Sequence, residues 1–455
     1  MWPDRSIQPE IHQIKKSAQP VLIEFEDIEK GVFRITNRHN FTNLSELRAN
    51  WEVLSNGTTA GRGTFSVDCA PGNTTRVELP LSWNNTDAEH EQMITISFSL
   101  KEERSWAEAG HEIAWEQFPV RPVSVPFAGQ ASPGFTAGHH SATSPDKELP
   151  PVEIERSDET ITVTGKEFKY VLDAGTGAFK SMNFKGTELL ARPGFDLTVW
   201  RAPIANDMDP WGSWNFTSTI YTPGLGRSID NQLRTLGFDN LQPAVYEVGV
   251  KTTEDGEAVV TMVIFATGRG INDGFEEHRE YIITGEGAIR LNHKIIPHGS
   301  MPTLLPRLGM QLFLPENFRN IGWYGRGPFE TYPDRKTGAK TGVWSTTVDD
   351  EYVPYIIPQD HGNKTGTRWL RISNNGDAGL MISSPELFNF SVRNHSTDNL
   401  TRAVHQFQLE KAGYVTLNVD YEVTGVGGTA IRTLTKYHVM PTVRQYSITM
   451  KPFQD

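Results

Sequence analysis

Residues 94–100 read I-T-I-S-F-S-L, with Ile94, Ile96, Phe98 and Leu100 separated by Thr95, Ser97 and Ser99. In a strand successive side chains point to opposite faces, so the apolar four line a core and the polar three face water. That is the pattern of an antiparallel sheet with one wet face. Working outward, turn signals recur at Asn56-Gly57, Gly61 to Gly63 and Pro71-Gly72, at intervals that suit the short strands of a small sandwich. Residues 21–120 are therefore expected to form an immunoglobulin-like β-sandwich, about 100 residues being the size of that unit. The period of two resumes in residues 151–455, at Ile161 and Val163, through Ala258 to Phe265, at Ile289 and Leu291, at Val415, Leu417, Val419 and Tyr421, and at Tyr446, Ile448 and Met450. Glycine-bearing turns punctuate it at 175–177, 285–287 and 425–428. With no long stripe of period 3.6 and no fixed repeat, this half reads as one large two-sheet sandwich, and the chain as all-β.

Two segments read differently. Residues 1–20 carry Pro3, Pro9 and Pro20, which break any long helix, so this is a connecting segment. Residues 121–150 turn to Pro, Gly, Ser, Ala and His, the composition of an extended linker. Its adjacent His139 and His140 lack the spacing and further ligands of a metal site.

A formal charge of -12 and a pI of about 5.6 exclude the basic face that nucleic-acid binding requires. No apolar run approaches the roughly 18 residues of a membrane span. The single cysteine, Cys69, permits neither an internal disulfide nor a cysteine-based metal cage. The first ten residues show no signal-peptide pattern, so a cytoplasmic protein is expected. Secretion is the alternative raised by N-x-S/T sequons at Asn40, Asn43, Asn56, Asn73, Asn84, Asn215, Asn363, Asn389, Asn394 and Asn399.

Four polar stretches carry the candidate chemistry. R-A-P-I-A-N-D, residues 201–207, sets Arg201 against Asn206 and Asp207 across a proline-stiffened turn. W-Y-G-R-G-P-F-E-T-Y-P-D-R, residues 323–335, reads as a rigid loop. Either Arg326, Glu330, Asp334 and Arg335 brace one another under aromatic covers, or the loop faces a sugar, with rings on pyranose faces and charged groups on hydroxyls. P-Q-D-H-G-N-K-T-G-T-R-W, residues 358–369, adds Asp360, His361 and Arg368, and H-S-T-D-N-L-T-R-A-V-H, residues 395–405, adds two histidines. His405 is either a general base or, more commonly for a lone histidine, a hydrogen-bonded structural residue. Absent are a G-x-S-x-G elbow, H-E-x-x-H, and a G-x-G-x-x-G opening a helix, so nothing points to phosphate, nicotinamide or zinc chemistry. Whether two carboxylates face each other at the roughly 5–9 Å of glycoside hydrolysis is decided by the fold.

Taken in order, these motifs resemble a known family. W-P-D-R, Q-P-E and K-K within residues 2–16, N-R-H-N-F-T-N-L at 37–44, W-A-E-A-G-H-E-I-A-W at 106–115, the motif at 201–207, Y-G-R-G-P-F-E-T-Y-P-D-R at 324–335 and Y-V-P-Y-I-I-P-Q at 352–359 are similar to the C-terminal portion of glycoside hydrolase family 2 β-galactosidases. The resemblance implies a second immunoglobulin-like domain at 21–120 and a galactose-mutarotase-like β-supersandwich, the small-chain domain, at 151–455. It also implies that the (β/α)₈ barrel, both catalytic Glu residues and the associated magnesium and sodium ions belong to a part of the enzyme absent from these residues. No catalytic residue, metal ligand or cofactor is therefore expected here. The implied role is to complete the rim of a retaining β-galactosidase site for terminal β-galactosides such as lactose, in an oligomer and in association with the barrel-bearing part. Expected sugar contacts are Tyr414, Thr416, Asn206 and Asp207, Thr416 standing where some members have a stacking Trp. Arg201, Arg326, Glu330, Asp334, Arg335 and His405 are expected as structural motif residues. Residues 425–432 depart from the family, many members having acidic or amide residues and Ser-Trp after the glycines, as does Asp360-His361, commonly Glu-Asn. The alternatives are a stand-alone carbohydrate-binding module, or a mutarotase-like activity with His361 or His405 as the acid-base group.

Overall fold

The computed structural model describes residues 1–28, 30–81, 90–121, 150–208, 228–268, 272–375, 378–428 and 433–454. The expected linker apart from its ends, His139 and His140, and the sequons at Asn84 and Asn215 lie outside the described residues. The chain divides into two compact units, one of residues 1–139 with 337–343 and one of residues 140–336 with 344–455. Among the described residues no helix is long and apolar enough to cross a membrane.

In the first unit the strands Val21–Asp27, Val32–Asn37 and Thr74–Glu78 form one sheet, and Thr58–Phe65, Leu47–Ser55, Gln92–Leu100 and Glu112–Arg121 form the other. Val21, Ile23, Phe33 and Ile35 of the first sheet share a core with Ile94, Ile96 and Phe98 of the second. The last three are fully buried, each such side chain stabilising the fold by about 1.5–3 kcal/mol. The outer face of this strand is not uniformly wet as the alternation suggests, because Thr95 is buried. Gln117 Nε2 donates to the Thr95 hydroxyl at 3.2 Å and to the Thr341 carbonyl at 2.9 Å, while Thr341 N donates back to Gln117 Oε1 at 2.8 Å. A segment remote in sequence thus roofs that face. Before the sandwich, Pro9–Ser17 forms a nine-residue helix with proline in its first turn, where the missing N–H costs nothing.

The second unit contains a five-stranded sheet, Glu153 to Glu188, and a twelve-stranded sheet that includes Asp196–Thr198, Arg307–Pro315, Ala378–Arg393 and Tyr414–Val423. Their inner faces share one large apolar core, with Phe168, Tyr170 and Phe179 from the first sheet and Ile289, Leu312 and Leu417 from the second. The protein is all-β, as the periodicity implies. One expectation needs correction: Trp323 to Gly327 are not loop but the end of the strand Phe318–Gly327. Trp323 pairs with Leu370 and Tyr324 with Trp369 across the ladder, and both aromatics are buried. Burial on both faces offsets the weak strand preference of the interleaved glycines. Only residues 328–335 leave the sheet.

Candidate functional site

The strand Tyr414–Val423 alternates V-T-L-N-V-D-Y, and Val415, Leu417, Val419 and Tyr421 enter the large core. The opposite face is polar but not wet, since Thr416, Asn418 and Asp420 are all 0 % exposed. Register sets Phe313, Gln311 and Gly309 beside them on one side and Arg393, Ser391 and Asn389 on the other. The groups satisfy one another in a seam across three strands. Gln311 Nε2 donates to Asn418 Oδ1 at 2.8 Å, Asn418 Nδ2 to Ser391 Oγ at 3.1 Å, and Arg393 Nη2 to Ser391 Oγ at 3.2 Å.

At one end the seam becomes a cluster of buried charge. Arg393 Nη1 donates to Asp360 Oδ1 at 2.6 Å and Tyr332 Oη to Asp360 Oδ2 at 3.3 Å. Arg307 lies 3.5 Å from Asp360 and 3.4 Å from Asp420. Burial opposes ionisation of Asp360, but Arg393, Arg307 and Arg201 outweigh it and hold the carboxyl well below the usual carboxylate range. Asp420 goes the other way. Burial, aided by the charge on Asp360, pushes it up to about 6 against the pull of Arg307. Burial, then the neighbouring Arg393, lowers His361 to about 3 and leaves its imidazole neutral. The ring stands edge-on to Tyr352, with centroids 5.4 Å apart.

Three of the sequence motifs meet beside this cluster, and two of them fix one glycine-rich turn, residues 425–428. Arg201 grips Asp207 bidentately at 2.7 and 2.8 Å and donates to the carbonyls of Thr424 at 3.0 Å and Gly425 at 3.4 Å. Asn206 Nδ2 donates to the carbonyls of Val426 and Gly428. Asp334 accepts from Val426 N at 3.0 Å, Gly427 N at 2.7 Å and Thr433 Oγ1 at 2.8 Å. Glycine is required at 425 for this approach, because a Cβ there would lie 2.5 Å from Asp334 Cγ. Glu330 in turn binds Arg335, the Tyr355 hydroxyl and, at 2.8 Å, Gly362 N, and Asp360 N donates to the Ala202 carbonyl at 3.1 Å. Carboxylates on backbone N–H groups and a forked guanidinium on a carboxylate are charge-assisted bonds, about twice as strong as neutral ones. The turn is preorganised by side chains lying more than 90 positions away in sequence.

A match to the family model described as β-galactosidase small chain covers residues 164–451, and one to β-galactosidase domain 4 covers residues 33–121. The chain belongs to the β-galactosidase small-chain family. Among its relatives, a β-galactosidase of Priestia megaterium is 31% identical over 432 residues, which is 94% of this chain and 38% of that protein. One of Actinobacillus pleuropneumoniae is 25% identical over 427 residues, 93% of this chain and again 38% of the relative. The chain thus spans well under half the length of these β-galactosidases. Among solved structures, galactose 1-epimerase from Lactobacillus acidophilus NCFM aligns with 9% identity and a TM-score of 0.37, over 67% of this chain and 99% of that one.

Within this small-chain member the expected sugar contacts separate. Asn206 and Asp207 sit at the braced turn and Tyr414 at the other end of its strand, roughly 30 Å away at a strand's rise per residue. Thr416 offers no surface to a ligand, being wholly buried with its hydroxyl donating to the His395 carbonyl at 3.2 Å. Arg326 donates to the Lys336 carbonyl at 3.1 Å. His405 is exposed and stacks on Phe407 with ring centroids 5.4 Å apart. Sequence reasoning missed Arg307, Arg393 and Asp420. Their signal was available in the strands themselves, where Asn389, Ser391 and Arg393 repeat the polar phase of Thr416, Asn418 and Asp420.

Proposed function

We propose that this chain is the non-catalytic C-terminal portion, or small subunit, of a retaining β-galactosidase, and that its braced turn completes the rim of the galactoside site. The observation that carries this reading is the convergence of residues 201–207 and 330–335 on the turn 425–428, with residues 360–362 bonded behind them to Ala202 and Glu330. That much bonding holds a short, partly buried turn in one shape, which is what a rim surface needs when it must meet a substrate without reorganising. Asn206 and the turn's backbone are the sugar-facing elements of this rim, and Asp207 acts by orienting Arg201. The chemistry of retaining hydrolysis, an acid carboxyl and a nucleophilic carboxylate about 5–5.5 Å apart, belongs to the barrel-bearing part, together with its magnesium and sodium ions. Association with that part, and the oligomer it forms, follow from the same proposal.

The test is hydrolysis of a chromogenic β-galactoside such as o-nitrophenyl β-D-galactoside. The isolated chain is expected to show none, and co-expression with a barrel-bearing β-galactosidase segment to restore it. Turnover by the pure isolated chain overturns the reading.

A further inference from the structure

The far end of the polar seam opens into a cleft of about 390 Å³, in the size range of small-molecule sites. Arg192, Asp196, Trp200, Arg234, Gln311 and Tyr414 are among its lining residues. Two of these charges lack the partners that such groups normally have. Asp196, paired in register with Gln311, lines the cleft, and no described residue donates to its Oδ1. A carboxylate that lines a cleft without its full set of donors is placed to accept from a donor outside the protein. Arg192 forms no ion pair among the described residues. Its guanidinium is held instead over the rings of Phe313, at 4.6 Å, and Tyr414, at 5.7 Å.

An anionic ligand would meet Asp196, Asp239 and Asp398 around this cleft, and a cationic one Arg192 and Arg234. A neutral ring bearing several hydroxyls avoids both conflicts, because each hydroxyl can donate to a carboxylate while accepting from a guanidinium. The half-buried Tyr414 supplies the apolar surface that a C–H face of such a ring requires.

We infer that this cleft is a saccharide-binding site for a neutral hexopyranoside, with Asp196 as hydroxyl acceptor, Arg192 as donor and Tyr414 as apolar wall. It stands at the opposite end of the strand Tyr414–Val423 from the braced turn, and goes beyond the rim role proposed above. Its test requires no hydrolysis, so failure of the complementation assay leaves it untouched.

The isolated chain is titrated with methyl β-D-galactopyranoside and with lactose, using saturation-transfer NMR and tryptophan fluorescence, and the titration is repeated on Arg192→Ala and Asp196→Ala. Wild type is expected to show saturation transfer to ring protons. Each variant should weaken binding about tenfold or more, as expected for loss of a charged hydrogen bond. Arg192 is exposed, so Arg192→Ala keeps the fold and its melting temperature serves as the control. No transfer from wild type to either sugar, or equal affinity in wild type and Arg192→Ala, overturns the inference.

Discussion

The two units solve the same problem, burying the inner face of an antiparallel sheet, with opposite interiors. In the first, the shared core is apolar from Val21 to Ala114, and the ion pairs Arg34–Glu24, Arg76–Glu26 and Arg104–Glu46 are half exposed. Pairs of that kind contribute about 0–1 kcal/mol. In the second, an apolar core coexists with fully buried Arg201, Arg279, Arg307, Arg393, Asp360 and Asp420. The difference lies in what each interior specifies. Apolar packing tolerates many shapes at similar free energy, whereas buried charge is tolerated only in the geometry that pairs it. A sandwich that needs only to hold together can be dry. A turn that must be held in one place is fixed here by Arg201, Asn206 and Asp334.

That contrast can be broken most directly at Arg201. Arg201→Ala leaves Asp207 buried without its guanidinium and should destabilise the second unit by about 3–5 kcal/mol. A double change, Arg201→Met with Asp207→Leu, should recover most of that loss, because neither charge is then stranded. Chemical denaturation, followed for two transitions since two units need not unfold together, measures both. A single-variant loss below about 1 kcal/mol would mean the pair is not dry.

The matching change in the first unit is Ile96→Ala, expected to cost about 2–4 kcal/mol through lost burial and the cavity left behind. Because no carboxylate, imidazole or amine side chain shares that core, the loss should be the same at pH 5 and pH 8. A pH-dependent loss would put charge near the cavity and erase the distinction.

The smallest effect is a pair of opposed pH slopes within the charged cluster. His361, lowered from 6.5 to about 3, binds fewer protons folded than unfolded, so its contribution is present above about 6.5 and is lost as pH falls. Asp420, raised from 3.8 to about 6, binds more protons folded than unfolded, so its contribution is present below about 3.8 and is lost as pH rises towards 6. Between pH 4 and 6 the two oppose, each at no more than about 1.4 kcal/mol per pH unit. Relative to wild type, His361→Asn should therefore shift the second unit's stability slope towards falling as pH rises through that window, and Asp420→Asn should shift it towards rising. Identical slopes in the two variants would show that the groups do not titrate as their surroundings imply.

Much of this was legible before the fold. The alternation at 94–100 correctly placed Ile94, Ile96 and Phe98 in a core, since a period of two can bury four neighbours in only one way. The motifs at 201–207 and 324–335, with the others in their order along the chain, carried the resemblance to the family. The same reasoning misread the other face of a strand. Thr416, Asn418 and Asp420 have the phase of solvent-facing residues, and nothing local distinguishes water from a buried partner. Thr95 was misjudged in the same way, its cover arriving from Gln117 and Thr341.

By itself, then, the sequence determined the strand content and the apolar phase of the strands, which rest on spacing within a few residues, and the family, through the resemblance of motifs taken in order along the chain. Only the tertiary structure decided that Asp334 reaches the turn at 425–428, that Arg393 meets Asp360, and that Asp196 and Arg192 share a cleft. The physical reason is that a charge has no fixed value in a sequence. Whether it is solvated, braced or left to await a ligand depends on which distant segments the sheet brings beside it.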